Sequence, residues 1–170
     1  MKKKILIIVA ILCVFTVSQV HAFGLGAQVN MYAGDFFAPG FSLLFSPSKA
    51  SHIAANWYIS GDTNIIGLTW DVCPLSYKIA GSPMTLTSNP KAWSLNFTLG
   101  LGLFSNLIIN DEKIIIAGGL RIPVGVNFFL AQNFEIFTHI APSFGVEVNP
   151  SLEFSSVGYP IAVGARLWFN

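Results

Sequence analysis

The sequence has little charge and, after its N-terminal segment, no long apolar run. Only 10% of its 170 residues are charged, against about 25% in a typical soluble domain, which is too little to cover a water-facing surface. Beyond residue 22 no stretch approaches the roughly 18 consecutive apolar residues that a transmembrane helix needs. Both absences argue against an ordinary soluble domain and against a helical membrane protein, although 53% of the residues are hydrophobic.

Cysteines, basic clusters and ligand-binding motifs are also scarce. Cys13 lies in the N-terminal apolar segment, where lipidation is disfavoured because no polar tether follows it. Cys73 would then be the only cysteine of the mature chain, which excludes an intramolecular disulfide. There is no basic patch for nucleic acid, no metal-ligand spacing and no phosphate-binding glycine loop. We therefore expect no nucleic-acid partner, no metal and no cofactor.

The N-terminus has the three parts of a secretory signal peptide. Lys2, Lys3 and Lys4 form a positive region, residues 5–17 are apolar, and Val20-His21-Ala22 resembles a cleavage site. The sequence therefore predicts export and cleavage after Ala22, with a mature domain covering residues 23–170. An uncleaved membrane anchor is the alternative, but the apolar core is short for a membrane span.

The mature chain alternates between large apolar and small or polar residues. In residues 93–103 every odd position is large and apolar and every even one is small or polar, which is the period of a β-strand. Similar segments occupy residues 23–32, 41–45, 52–60, 64–72, 114–130, 134–141 and 159–169. A membrane-crossing strand needs about 9–11 residues, and bacterial barrels prefer even strand numbers. The pattern predicts an all-β, closed, eight-stranded antiparallel up-and-down barrel.

The apolar face of these strands is expected to point outward. The opposite face consists mainly of Gly, Ser, Asn, Thr and Ala, which suits a narrow interior and would clothe a soluble exterior poorly. Aromatic residues on the apolar face lie towards strand ends, as in an interfacial girdle: Trp57, Trp70, Trp93, Tyr159 and Phe169. In the clearest strand, the residues expected to face lipid are Trp93, Leu95, Phe97, Leu99, Leu101 and Leu103. A soluble periplasmic lipocalin-like barrel that binds a ligand is the alternative.

The connections predict which ends carry loops. Residues 47–49 and 131–133 are expected to be tight periplasmic turns, and residues 61–63 a short outer turn. Residues 33–40, 105–113 and 142–157 are expected to be extracellular loops. The stretch 73–91 contains three prolines and is long for a periplasmic turn; it either forms a loop or extends the flanking strands.

Five charged or titratable residues fall on the inferred lumenal face: Asp71, Arg121, Glu135, His139 and Arg166. An unpaired charge there would be very costly, so the first interpretation is a salt-bridged plug that closes the bore. The second is a gated narrow pore. Because an eight-stranded barrel is only just wide enough for its own side chains, the plug is favoured.

An enzyme is not expected. The only candidate pair is His139 with Ser143, and four residues along a strand separate them by about 13 Å. A nucleophile and its base must approach to hydrogen-bond distance. No carboxylate completes a triad.

Several segments resemble a known family. Glycines alternate with apolar residues in 23–28, 99–103 and 164–169. Further matching pieces are Arg121-Ile122-Pro123-Val124-Gly125, Glu135-Ile136-Phe137 and Ala141-Pro142. These resemble the small spirochaetal outer-membrane β-barrel proteins, which are similar to the membrane domain of outer-membrane protein A. The resemblance implies a surface-exposed barrel of the cell outer membrane, and some members are suspected of binding host proteins.

Three functions follow as hypotheses. The first is a non-enzymatic, surface-exposed anchor or adhesin whose loops contact a host protein. The second is a narrow, porin-like pore for small solutes, and the third is the lipocalin-like barrel. The expected partners of the first are outer-membrane lipid and the barrel-insertion machinery, and the expected state is a monomer.

Overall fold

The computed structural model describes residues 22–33, 37–82, 92–110, 113–131, 133–149, 151–154 and 158–169. Its regular structure within these ranges is entirely β-strand: β1 (Phe23–Ala33), β2 (Phe37–Ser48), β3 (Ser51–Ser60), β4 (Thr63–Gly81), β5 (Trp93–Ile109), β6 (Ile114–Arg121), β7 (Val124–Leu130), β8 (Phe134–Ile140), β9 (Ser143–Asn149), β10 (Ser151–Phe154) and β11 (Ile161–Phe169). Among the described residues, no helix is long and apolar enough to cross a membrane. The predicted signal peptide lies, apart from Ala22, outside these ranges.

The eleven segments make eight barrel strands, because three prolines divide three of them. Pro123 separates β6 from β7, Pro142 separates β8 from β9, and Pro160 precedes β11. Proline lacks an N–H and so removes a bond from the ladder. The proline carbonyls still accept: Gly100 N donates to Pro123 O at 2.9 Å, Ile122 N to Pro142 O at 2.9 Å, and Ala141 N to Pro160 O at 2.8 Å. The sheet therefore continues through each break.

The sheet closes on itself. The first and last strands pair with Phe23 opposite Phe169, and β5 pairs with β7 to complete the ring. Directly opposed residues, followed once around the barrel from Trp93 on β5, lead back to Leu103 on the same strand, ten residues further on. This stagger is the shear of the barrel and tilts its strands against the axis. The closed eight-stranded antiparallel barrel predicted from the sequence is confirmed.

The barrel has an apolar exterior and a polar interior. Large apolar side chains are exposed along every strand, including all five predicted girdle aromatics, which are 38–45% exposed. The buried set includes Gln28, Asn30, Ser42, Asn56 and Thr69. A lipocalin-like barrel would show the opposite distribution, because its apolar face fills the interior. The observed distribution is that of a barrel surrounded by lipid.

The three predicted outer loops are largely strand, so those predictions were wrong in extent. Strand β2 already begins at Phe37, β5 continues to Ile109, and β9 and β10 occupy most of residues 142–157. At the other end β4 runs to Gly81 and pairs with β5, which supports the strand-extension interpretation of the stretch 73–91; residues 83–91 lie outside the described ranges. The short outer turn at Gly61 is present, with a φ of 56° that glycine adopts easily.

The exterior predicts where a charge is most damaging. Leu101 is the ninth residue of the 17-residue β5, and Leu152 lies on the four-residue β10; their side chains are 68% and 70% exposed. We expect Leu101→Arg to lower the free energy of unfolding in lipid vesicles by about 2–4 kcal/mol and Leu152→Arg by less than about 1 kcal/mol. Urea titration followed by tryptophan fluorescence measures both. Equal losses would contradict an exterior that is immersed in lipid only around its middle.

Candidate functional site

The five lumenal residues predicted from the sequence all lie inside the barrel. Asp71, Arg121, Glu135 and Arg166 are at most 7% exposed, and His139 is half-buried. They come from four barrel strands. Of the six residues predicted to face lipid, four lie on the exterior with 38–68% exposure and two are half-buried: Trp93, Phe97, Leu101 and Leu103, then Leu95 and Leu99.

Arg166 and Glu135 form the first interior ion pair. They are directly opposite each other on β11 and β8, with Arg166 Nη1 3.2 Å from Glu135 Oε2. The indole N–H of Trp168 donates to the same oxygen at 2.7 Å, and Asn127 Nδ2 donates to Oε1 at 2.6 Å. The carboxylate is fully buried, so these donors replace the water it loses. The guanidinium also lies over the Phe137 ring, 4.5 Å from its centre.

Asp71 and Arg121 form the second pair across an intervening strand. In the register, Asp71 on β4 is opposite Gly102 on β5, and Gly102 is opposite Arg121 on β6. Arg121 Nε nevertheless lies 3.1 Å from Asp71 Oδ1. A Cβ at Gly102 would lie 2.0 Å from that oxygen and 3.0 Å from Arg121 Cγ. Because Gly102 has no side chain, there is space beside it in which the two charges meet.

Two histidines complete the shell around the guanidinium groups. His52 Nδ1 lies 3.0 Å from Arg166 Nη1 and 3.0 Å from Ser46 Oγ, and His139 Nε2 lies 3.4 Å from Arg121 Nη2. Arginine can only donate, so each of these ring nitrogens carries a lone pair. Each arginine is therefore held by one carboxylate and one imidazole.

Sequence reasoning missed His52 and Trp168. His52 is opposite Asp71 on the adjacent strand, and folding the chain about a two-residue turn at residues 61 and 62 pairs them. Trp168 belongs to the polar face by alternation, yet it is only 2% exposed. Trp168 is largely apolar, but its indole N–H is a hydrogen-bond donor, and it donates to the buried carboxylate of Glu135.

A band of neutral polar side chains crosses the interior on β1, β2 and β3. Ser42 Oγ donates to Asn56 Oδ1 at 2.6 Å and accepts from Asn30 Nδ2. Gln28 Nε2 lies 3.4 Å from the same hydroxyl. The band joins three adjacent strands without introducing charge.

Two small cavities lie among these side chains. Among the described residues, the enclosed space around Asp71, Arg121 and Arg166 is a cavity of about 30 Å³, and that around Tyr58 and Asn106 is one of about 20 Å³. Each holds about one or two water molecules.

His139 and Ser143, the candidate catalytic pair, make separate contacts. His139 contacts Arg121, whereas Ser143 Oγ donates to Ala141 O at 2.8 Å.

No protein-family model matches the chain, and no curated protein matches it. Among solved structures it is similar to Neisserial surface protein A, at 13% identity and a TM-score of 0.48, covering 87% of this chain and 96% of that one. It is also similar to the N-terminal β-barrel domain of Pseudomonas aeruginosa OprF, at 11% identity and a TM-score of 0.44, covering 86% and 97%. A third is Ail, the attachment invasion locus protein of Yersinia pestis, at 14% identity and a TM-score of 0.37, covering 87% and 97%. At such identities none of these names says what this chain binds.

Two glycine substitutions test whether the space at Gly102 is needed for the ion pair between Asp71 and Arg121. Gly102→Ala places a methyl group between Asp71 and Arg121, and we expect it to lower the free energy of unfolding by about 3 kcal/mol, as for a broken buried pair. In Gly118→Ala the nearest contact of the new Cβ is Phe104 O at 3.4 Å, so we expect a loss below about 1 kcal/mol. Urea unfolding in detergent micelles measures both. Equal losses would show that the gap at Gly102 does not protect the pair.

Proposed function

We propose that the chain is a non-enzymatic, monomeric barrel of the outer membrane. It closes its own bore and presents a projecting sheet at the cell surface. The observation that carries the proposal is that the distribution of residues usual in soluble proteins is inverted. The exterior is apolar, and the interior contains paired charges. Outer-membrane lipid and the barrel-insertion machinery are its expected partners. The spirochaetal resemblance stays a prediction.

The exterior supports insertion in lipid. At the end where β1 begins and β11 ends, the ring centres of Phe23 and Phe169 are stacked 4.9 Å apart, and those of Trp93 and Phe128 are 5.8 Å apart. At the other end Trp57 packs on Phe41 at 5.4 Å. Aromatic groups at two levels are typical of interfacial girdles. Because the number of strands is even, the start of β1 and the end of β11 lie on one side, which we assign to the periplasm.

The interior argues against an open pore. The Arg166–Glu135 and Asp71–Arg121 pairs lie within the bore, and the enclosed spaces near them hold only a few water molecules. Passage of a solute would require both ion pairs to separate, and separating a buried pair costs several kcal/mol. The pore therefore stays the second candidate, supported only by the polarity of the interior.

The outer end projects beyond the lipid. One row of opposed residues runs from Trp57 on β3 through Ile66, Leu107, Ile116 and Val148 to Leu152 on β10. Each step between tilted strands moves the row outward, so Leu152 lies about 15 Å further out than the girdle residue Trp57. Even so, Leu152 is 70% exposed and Phe154 94% exposed.

Exposed apolar groups outside lipid are typical of a surface that contacts another protein. We define the projecting sheet as the outer parts of β5 and β6 together with β9 and β10. Its apolar outer face supports an adhesin-like role in which β10 contacts a host protein. The contact surface is thus a paired sheet, whereas the sequence predicted loops.

A closed bore predicts the electrical behaviour of the protein. Refolded protein in a planar lipid bilayer should show no discrete conductance steps, because both interior ion pairs obstruct the path. A porin of known conductance, refolded in the same way, serves as the positive control. Regular steps from the unmodified barrel would replace the closed-anchor proposal with the pore.

The proposed role of the projecting sheet predicts that its exposed apolar residues contribute to the attachment of cells. Leu152→Asp with Phe154→Asp should reduce the binding of intact cells to immobilised extracellular-matrix proteins about tenfold or more, because each charge removes an apolar contact. Ser151→Asp adds a charge to the same hairpin and should leave binding unchanged. The measurement is the fraction of cells retained after washing.

Surface labelling checks that the sheet is exposed. In a Cys73→Ser background, Ser151→Cys should react with a membrane-impermeant maleimide on intact cells, and Ser48→Cys only after lysis. If Ser151→Cys is labelled and the Leu152/Phe154 variant binds as well as the unmodified protein, the adhesin role is wrong while the topology stands.

A further inference from the structure

Beyond Cys73, one edge of β4 is not paired with any described strand. Cys73 N donates to Ala50 O at 2.7 Å, and this is where pairing between β4 and its neighbour on the β3 side ends, because residues 49 and 50 form the turn before β3. From Pro74 to Gly81, β4 continues and pairs only with β5 among the described strands. Its register shifts twice over this stretch, between Val72 and Leu75 and between Lys78 and Ala80.

This unpaired stretch is turned towards lipid on its outer face. Leu75 is 62% exposed and Tyr77 is 73% exposed, and they are opposite Leu99 and Phe97 on β5. Unpaired main-chain groups next to lipid cost several kcal/mol each unless a polar partner satisfies them. A polar occupant of the gap between this edge and the Lys49–Ala50 turn would satisfy these groups.

A cavity of about 350 Å³ lies at this gap on the lumenal side of the wall, where Ser94, Asn127 and Phe129 also line it. Lys49 borders it from the turn and Lys78 from β4, and hydroxyl and amide groups of Ser76, Asn96 and Thr98 line its wall. No carboxylate lines it, and neither lysine forms a salt bridge with a described residue. Lys49 Nζ lies 5.5 Å from the centre of the Phe129 ring, and Lys78 Nζ donates to Ser82 O at 2.9 Å. The charged side chains that line the cavity are thus both positive, which suits an anion.

An apolar crevice adjoins the cavity on the other side of β4. Its volume is about 470 Å³, and it is lined by Val72, Leu75, Leu101 and Ile122. Pro74 borders both spaces. A ligand that spans them must carry a negative group at one end and an apolar chain at the other.

We propose that this edge is a binding site for an anionic phospholipid of the periplasmic leaflet. The phosphate lies between Lys49 and Lys78, the hydroxyl and amide groups bind the remainder of the headgroup, and one acyl chain occupies the crevice at Pro74. A free phosphate would use the lysines without the crevice. The site rests on the membrane insertion proposed above.

Native mass spectrometry of the detergent-purified barrel tests the site. After exposure to phosphatidylglycerol, the unmodified protein should retain one lipid and should prefer it over phosphatidylethanolamine. The double variant Lys49→Gln/Lys78→Gln should lower retention about tenfold or more, since charge-assisted contacts are lost. Lys113→Gln removes the same charge at the opposite end and should retain lipid like the unmodified protein.

Two controls distinguish the ways the proposal can fail. Heat-modifiable migration on gels reports whether each variant is a folded barrel, independently of bound lipid; its absence in the unmodified protein would instead contradict the membrane barrel. Equal retention by the folded double variant and the Lys113→Gln control would overturn the lipid site. So would complete displacement of the lipid by millimolar inorganic phosphate, which would identify a site for a soluble anion.

Discussion

The constraint on which the structure depends is the pairing of every main-chain N–H and C=O within lipid. It requires β1 and β11 to meet, with Phe23 opposite Phe169. It also explains why the carbonyls of Pro123, Pro142 and Pro160 still join the ladder although their nitrogens cannot. Among the described strands, the edge of β4 beyond Cys73 is an exception. That exception coincides with a cavity bordered by two lysines, which is the physical basis for the lipid proposal.

Closure with eight strands makes the bore narrow, and the narrow bore decides the interior chemistry. Large side chains fit in the bore only where a neighbouring residue is small, so each interior arginine lies next to a glycine. Gly102 leaves the space in which Asp71 meets Arg121, and a Cβ at Gly26 would lie 3.1 Å from Arg166 Cγ. Each interior arginine contacts one carboxylate and one histidine, and the two ion pairs together carry no net charge. The same packing is the basis for proposing a closed bore.

Much of the fold could be predicted because a strand exposes its period directly. The alternation in residues 93–103 identified β5, and similar segments gave the strand number. The outer ends were harder to predict. Residues 142–157 include two prolines, and β10 has only four residues, too few for a reliable period. The strand character of β9 depends on pairing with β6, which is distant in sequence, and β10 is paired only with β9 among the described strands.

The sequence by itself determined the strand period and which residues share a face, since these depend on neighbours along the chain. It also predicted the export signal. It placed Asp71, Arg121, Glu135, His139 and Arg166 on one face but could not pair them. Only the tertiary structure decided that Asp71 reaches Arg121 over Gly102, that His52 accepts from Arg166, and that β4 keeps an open edge. Those outcomes depend on the stagger between strands, because a shift of one residue between strands changes every partner across the bore.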